Sequence, residues 1–301
     1  MSIAPREDRS GLGLGLMALA VCLFTCIDTS AKFLIQSGQP ALQVVWCRYA
    51  GHFLLTLLVF YPQDRGDLFR TSAPVKQGAR ALFLFGSTLL NFLALTWLPI
   101  TVTTTIMFAG PIAVTLLAIP FLGEKVGVHR IAAVCTGFLG VLVVMQPWGA
   151  EFHPAMLLSL GALTCASGYF ILTRLMAGKE SNSTSQLWGA GVPTLLLAPI
   201  VLPAWQAPGA LEVMLILCLI GAFGATGHIA ATAAHRYADA SLLAPVVYLQ
   251  LMTASIASWL FFDSLPTAWT LVGAAIIISS GLYIWHRERR RGVPHPPPPR
   301  L

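Results

Sequence analysis

Apolar residues run along this chain in long unbroken stretches, and polar residues are confined to the short gaps between them. Ten stretches can be delimited, at 11–35, 41–61, 79–98, 101–121, 128–147, 155–176, 185–204, 212–234, 240–262 and 267–286. Each is close to the roughly 20 residues a helix needs to cross the hydrocarbon of a bilayer. The gaps carry turn residues: Gly38-Gln39-Pro40, Pro62, Pro74, Pro99, Gly123, Pro147, Gly178, Pro208 and Pro266. The third and fourth stretches almost fuse, from Ala81 to Leu122. Pro99 is the expected corner there, because proline disfavours helix in the residue before it. The pattern predicts an all-α integral membrane protein with ten transmembrane helices.

Composition agrees. Of 301 residues, 56% are hydrophobic and only 10% charged, against about 25% charged in a soluble domain. That excludes an ordinary soluble enzyme and a disordered module. The six cysteines (Cys22, Cys26, Cys47, Cys135, Cys165, Cys218) all lie inside apolar stretches without a C-x-x-C spacing. They read as small apolar residues, neither a disulfide framework nor a zinc site. The start resembles a signal peptide, but its apolar run is long and lacks a small-x-small cleavage site. It reads as the first span.

The charge, +6 overall, follows topology. If the N-terminus is cytoplasmic, the inside segments hold Arg6, Arg9, Arg65, Arg70, Lys76, Arg80, Lys125, Arg130, Arg174, Lys179, Arg236, Arg287, Arg289, Arg290, Arg291 and Arg300. Lys32 and Arg48 lie within spans, and the outside loops carry no Lys or Arg. By the positive-inside rule both termini are expected in the cytoplasm. The basic excess then faces lipid headgroups, and no nucleic-acid partner is called for. The tail from Gly292 to Leu301 is mostly proline and cannot be helical.

The two halves repeat. Ala94–Glu124 (ALTWLPITVTTTIMFAGPIAVTLLAIPFLGE) lies over Ala234–Ser264 (AHRYADASLLAPVVYLQLMTASIASWLFFDS), which sets Thr88 over His228. AAVCTGFLGVLVVM (132–145) matches GAAIIISSGLYIWH (273–286) after a one-residue shift, and Ala18–Lys32 resembles Leu160–Arg174. Five spans per half is an odd number, so the second half enters the membrane from the opposite side. Such an inverted-topology repeat is a common construction for alternating access. The division expected is a segment 1–10, repeats 11–147 and 154–286, and a basic, proline-rich tail 287–301.

Ten short spans, the five-plus-five repeat, the turns TWLPITVTTT and RYADASLLAP, and the stretch from Pro111 to Lys125 ending in FLGEK together resemble the drug/metabolite transporter superfamily, EamA-type. The second half departs at FFDSLP. The aromatic-rich span interiors look closest to the amino-acid exporter branch. The resemblance implies a secondary transporter of small metabolites in the bacterial inner membrane, exporting amino acids, aromatic or otherwise apolar. It also implies a cavity between helices one, three, four, six, eight and nine, no cofactor, and a monomer or weak dimer.

Polar residues inside spans are costly and are the functional candidates. Asp28 and Lys32 are one turn apart on the first span, as are Arg48 and His52 on the second. Asp28 and Arg48 sit about 12 Å from the outer ends of antiparallel helices. That depth allows an ion pair between them, which would serve more as an interhelical clamp than as a substrate contact. Lys32, roughly 6 Å from its helix end, is expected to snorkel to the surface. Asn91 and Thr88 in the third span, His228 in the eighth and Gln250 in the ninth supply polar groups. Phe108, Tyr169 and Tyr248 are expected to wall an apolar cavity around them. A nucleotide-sugar or phosphorylated-metabolite exchanger would use Lys32 and Arg48 instead. An intramembrane enzyme is disfavoured, because no G-x-S-x-G or H-E-x-x-H pattern occurs and Ser167 reads as packing. No metal site is expected from His228 and His235 alone.

Overall fold

The computed structural model describes residues 9–122, 127–149, 152–176, 179–238 and 240–290. Arg6, Gly123, Glu124, Lys125, Gly178 and the proline-rich tail lie outside them. The described residues are all helical with connecting turns: α1 (Ser10–Gln36), α2 (Ala41–Asp64), α3 (Pro74–Leu95), α4 (Ile100–Met107), α5 (Gly110–Leu122), α6 (Val128–Met145), α7 (Ala155–Met176), α8 (Asn182–Val201), α9 (Leu211–Tyr237), α10 (Ala240–Val247), α11 (Leu249–Phe262) and α12 (Ala268–Arg290). A 3-10 turn, Arg65–Phe69, follows α2. Among the described residues eight segments are long and apolar enough to cross a membrane, α4–α5 and the stretch Pro245–Phe262 each counting as one. A shorter apolar core, Ile131–Met145, lies in α6. α8 has the length but opens on Asn182-Ser183-Thr184-Ser185-Gln186, too polar a start to stand out by hydropathy. The fold is that of an all-helical membrane protein built from two repeats.

Two expectations about helix limits change. Pro62 does not end the second span; α2 continues through it to Asp64, and the chain reverses at Arg65, with φ 46°. The fourth and ninth spans, expected to be continuous, are each broken. After α4 the Phe108 amide is shared between Thr104 O and Thr105 O, the Ala109 amide bonds Ile106 O three residues back, and α5 restarts at Gly110. In the second half the Tyr248 amide bonds Pro245 O and the Leu251 amide bonds Tyr248 O, a tightened turn between α10 and α11. Pro111 and Pro245 each remove a helical donor close to a break. The remaining backbone groups close in 3-10 fashion. Pro99 does form the expected corner: it is extended, with ψ 147°, and immediately precedes α4.

The helices associate across the repeats. α1 packs on α9 and α11, and α2 on α9 and α8. α3 packs on α7 and α8, and both α4 and α5 pack on α7. One four-span set is therefore α1, α2, α9 and α10–α11. The other is its repeat-related counterpart: α7, α8, α3 and α4–α5. α6 and α12 pack on each other beside them.

Small residues set these distances, as between helices in lipid. At the α2–α9 crossing, a Cβ added to Gly221 would lie 2.5 Å from Gly51 Cα, and one on Gly51 2.9 Å from Gly221 Cα. At the α6–α12 crossing a Cβ on Gly273 would come 2.7 Å from Gly140 O.

Candidate functional site

Two groups of residues meet at the seam between the four-span sets. One is aromatic. Phe108 and Tyr248 hold the same position in the repeat, each at its helix break, and their rings meet edge to face with centroids 5.3 Å apart. Phe108 is buried in a cluster with Ile112, Val134, Leu163 and Ile277, against which Tyr248 packs. The Tyr248 hydroxyl is turned toward Gly281 of α12. This pair backs onto α6 and α12. It does not form one wall with Asn91 and His228, contrary to the expectation, because the breaks swing both rings into that neighbouring core.

The other group is polar and deeper between α1, α2, α3 and α9. Asn91 Nδ2 donates to Asp28 Oδ1 at 3.0 Å, linking α3 to α1 across the seam. The Asp28–Arg48 ion pair that their depth allows does not form. Arg48 is within electrostatic reach of Asp28, but its guanidinium lies over the Tyr49 ring, 4.7 Å from the centroid. Tyr49 is pinned by bonds from its hydroxyl to Leu84 O (3.0 Å) and Thr88 Oγ1 (2.8 Å). The carboxylate prefers the short amide on the facing helix, and the guanidinium prefers an aromatic face, where a desolvated cation is stabilised.

The tight α2–α9 crossing brings His52 to His228, stacked at 5.5 Å and 21°. Phe24 of α1 covers His228 at 5.2 Å. Arg80, counted by sequence with the inside residues at the very edge of the third stretch, is buried, because α3 begins at Pro74 and carries it inward. It donates to the Ser185 carbonyl, and Nη1 reaches Thr173 Oγ1 at 3.5 Å. Its guanidinium lies 5.2 Å from the Tyr169 ring. Tyr49 and Arg80 are therefore members of the group that sequence reasoning did not select. For Arg80 the missed signal was Pro74, which favours the first helical turn. Gln250 is half-buried in the first turn of α11, where its carbonyl accepts from Thr253 Oγ1 at 3.1 Å. Thr253 in turn bonds Thr25 of α1 at 2.7 Å.

Lys32 does not snorkel. It is buried, and Nζ donates to Leu98 O at 2.6 Å while lying 5.3 Å from the Phe262 ring. The chain corner before Pro99 leaves that carbonyl without a helical partner, and the ammonium takes it. This contact joins α1 to the α3–α4 corner on the membrane side away from the chain termini. On the same side α4 packs on α11. On the termini side α5 packs on α7 and α6, and α10 on α1 and α12, each with its own neighbours.

Along the α2–α8 edge the sets are tied at both ends. Away from the termini, Gln43 exchanges two hydrogen bonds with the Gln206 backbone (2.8 and 2.9 Å), and Trp46 Nε1 donates to Thr194 O at 3.1 Å. Toward the termini, Ser183 donates to Asp64, and Glu180 Oε1 accepts from the Ser72 hydroxyl (2.6 Å) and amide (2.8 Å). Burial alone would raise the Glu180 carboxyl, but these bonds, with Thr71 and Gln77 nearby, outweigh it and hold the group below its ordinary value. Gln43 and Ser183 each lie in the first turn of the second helix of their repeat. The two ties are thus inverted counterparts.

The threonines opening α4 divide. Thr103 and Thr105 bond their own helix, at Ile100 O (3.0 Å) and Thr101 O (2.6 Å), as short hydroxyls often do. Ser167 bonds Leu163 O at 2.8 Å, a packing residue. Among the described residues no group of three His, Cys, Asp or Glu could hold a metal ion.

An inverted repeat with a broken helix in each half, meeting at a seam lined by buried polar groups, is the architecture of a membrane carrier. The model of the EamA-like transporter family matches residues 11–146 and again 153–285. The chain belongs to the EamA-like transporter family. It is a multi-pass membrane protein of the class that carries small metabolites. Among curated relatives of this EamA-like chain, a riboflavin transporter of Vibrio cholerae serotype O1 is 29% identical over 290 residues, covering 91% of this chain and 94% of the relative. An S-adenosylmethionine uptake transporter of Rickettsia bellii is 28% identical over 282 residues, covering 93% and 95%. A solved crystal structure, 17% identical, superposes with a TM-score of 0.58 over 91% of this chain and 98% of its own, and shares the fold.

Proposed function

We propose that this EamA-like protein moves a small ring-bearing metabolite across the bacterial inner membrane by alternating access, with both termini cytoplasmic and no catalytic step. One observation carries the mechanism. The helix breaks at Phe108 and Tyr248 face each other at the seam between two repeat-related four-span sets. A rocking motion about the α2–α8 edge would exchange which side of that seam is open. The contacts α4–α11 and Lys32–Leu98 hold it together away from the termini, which is the arrangement of a carrier open toward the cytoplasm.

The substrate class draws support from two sources. Riboflavin and S-adenosylmethionine, named for the relatives, both contain heteroaromatic rings. The polar group here is bordered by Phe24, Tyr49, Tyr169 and the His52–His228 stack, surfaces suited to a flat ring. The class includes flavins, adenosyl compounds and aromatic amino acids. Amino-acid export, expected from the sequence, is kept within it as one member.

The test is counterflow in proteoliposomes, without an ion gradient. Vesicles preloaded with unlabelled riboflavin, S-adenosylmethionine, phenylalanine or leucine are offered the labelled compound outside. Uptake of a ring-bearing compound dependent on internal substrate supports the reading. Exchange of leucine alone, or flux that does not saturate, refutes it.

A further inference from the structure

The polar group contains more cation than its neighbours neutralise. Arg48 on α2 and Arg80 on α3 are each 6% exposed. Asp28 is the one carboxylate in the group, and its partner is the neutral Asn91 amide. Arg80 is engaged with the Ser185 carbonyl and Thr173. Arg48 is not engaged in this way: its Nε and Nη1 are buried and make no hydrogen bond. One turn along, His52 is 2% exposed, and neither ring nitrogen makes a hydrogen bond of ordinary geometry, although the Gln186 side chain of α8 is close by. Gly224 of α9 faces both, 3.9 Å from Arg48 Cγ and 3.8 Å from His52 Nδ1 when measured from an ideal Cβ.

Buried donors without acceptors are uncommon, and a buried guanidinium with free edges is costlier than a neutral group. Evolution could remove that cost with an apolar residue or an adjacent carboxylate. Asp28, though within electrostatic reach, is held elsewhere. A buried guanidinium N–H without an acceptor is matched by an oxygen of a carboxylate or phosphate, which accepts a charge-assisted hydrogen bond.

We propose that Arg48, assisted by the adjacent His52, is a recognition site for an oxyanion carried by the substrate, either a carboxylate or a phosphate. This rests on the carrier reading above and narrows it: the ring-bearing metabolite is an organic acid, a zwitterion or a phosphoester. Arg48 offers an N–H of Nε or Nη1 to one oxygen of the group, with His52 beside it, and the ring lies toward Tyr169 and the His228–Phe24 stack. Asp28–Asn91 spans the seam alongside and leaves Arg48 open to the ligand.

Matched pairs of probes test this on the full chain. One pair is riboflavin and its 5′-phosphate; the other is 3-phenylpropionate and 3-phenylpropanamide. Each is measured by counterflow and by thermal stabilisation of the detergent-solubilised protein. The anionic member of at least one pair is expected to exchange tenfold or more faster than its neutral mate and to stabilise the protein more. Preference confined to the flavin pair assigns a phosphate, and preference confined to the phenyl pair a carboxylate.

Arg48→Gln is expected to bring the ratio to within twofold, and Arg48→Lys to leave it intermediate. Because wild-type preference is itself decisive, misfolding of a variant does not shield the proposal. Neutral and anionic members exchanging equally well would overturn it while leaving the carrier reading intact, as would an unchanged ratio in Arg48→Gln. Stabilisation by an anion, lost in Arg48→Gln, without counterflow of any probe would uphold the site and refute the carrier reading. No stabilisation by either anion overturns it.

Discussion

Replacing Gly221 by alanine tests the helix crossing on which the polar group depends. The new Cβ would lie 2.5 Å from Gly51 Cα and 2.8 Å from its carbonyl carbon, both backbone atoms. Neither can rotate away, so α2 and α9 must separate by about 1 Å to restore ordinary contact, an overpacking that costs ~1–3 kcal/mol. Alanine's better helix propensity returns up to about 1 kcal/mol. That gain can be measured separately at Gly15 of α1, where an added Cβ meets nothing within 4 Å. The difference between Gly221→Ala and Gly15→Ala therefore isolates the steric cost. At about 2 kcal/mol it is roughly a thirtyfold shift in the unfolding equilibrium. Reversible unfolding by SDS in mixed micelles gives both numbers. The same displacement would part the His52–His228 stack, so counterflow should fall with stability. Equal stabilities of the two variants, within about 0.5 kcal/mol, would refute the close crossing as described.

Asp28→Asn keeps an oxygen for Asn91 to donate to, so it should weaken that hydrogen bond without removing it, at a cost of about 1 kcal/mol. Because Arg48 is not its partner, Asp28→Asn and Arg48→Met should add without rescue in a double-mutant cycle; mutual rescue would show an ion pair after all. Lys32→Met leaves Leu98 O unpartnered and loosens the seam away from the termini. In a background free of native cysteines, a cysteine at Leu98 should then react faster with a membrane-impermeant maleimide added from that side; an unchanged rate would remove Lys32 from the closure. Glu180 is held below its ordinary value of 4.5. A depressed carboxyl stabilises the folded form above its unfolded value and loses that contribution as pH falls through its folded value. Protection of the Ser72 amide from hydrogen exchange, corrected for intrinsic rate, should accordingly persist at neutral pH and drop below pH 4.5. Glu180→Gln should flatten that dependence, and a profile identical to wild type would place the contact elsewhere.

Apolar length and punctuation carried most of the fold, because lipid forces backbone polar groups to be satisfied within each span. Pro99, extended and without a helical donor, was readable as a corner from the residue alone. The breaks at Phe108 and Tyr248 were not. Pro111 and Pro245 lie near them, but prolines also sit inside α2 and α8 without stopping either helix. Whether a proline breaks a span depends on what can take up the freed carbonyls, and that is set by neighbours. The site was legible as a set of residues and not as a set of pairs. Depth along two helices placed Asp28 level with Arg48, but depth contains no rotation about the helix axis. The turn of α1 toward α3 gave Asp28 to Asn91. Likewise Lys32 looked close enough to a helix end to reach water, yet the corner at Leu98 offered a carbonyl closer still. Arg80 was hidden by a start to the third span set too late, at residue 79.

The weak hydropathy of α8 bears on how the protein is made. As a nascent chain leaves the ribosome, each segment is tested for entry into lipid largely on its own transfer free energy. A helix beginning Asn182-Ser183-Thr184-Ser185-Gln186 and holding Pro193 and Pro199 would partition poorly, since polar residues and proline tax insertion. Its partners, however, are already in place. α2 and α3 precede it by more than eighty residues, and they offer Trp46 to the Thr194 carbonyl, Phe53 to Gly191, and Arg80 to the Ser185 carbonyl. The first repeat thereby supplies contacts that α8 lacks on its own. The order of the halves along the gene matters even though a two-fold axis relates their architectures: exchanging them would send α8 into the bilayer before α2 and α3 were there to receive it.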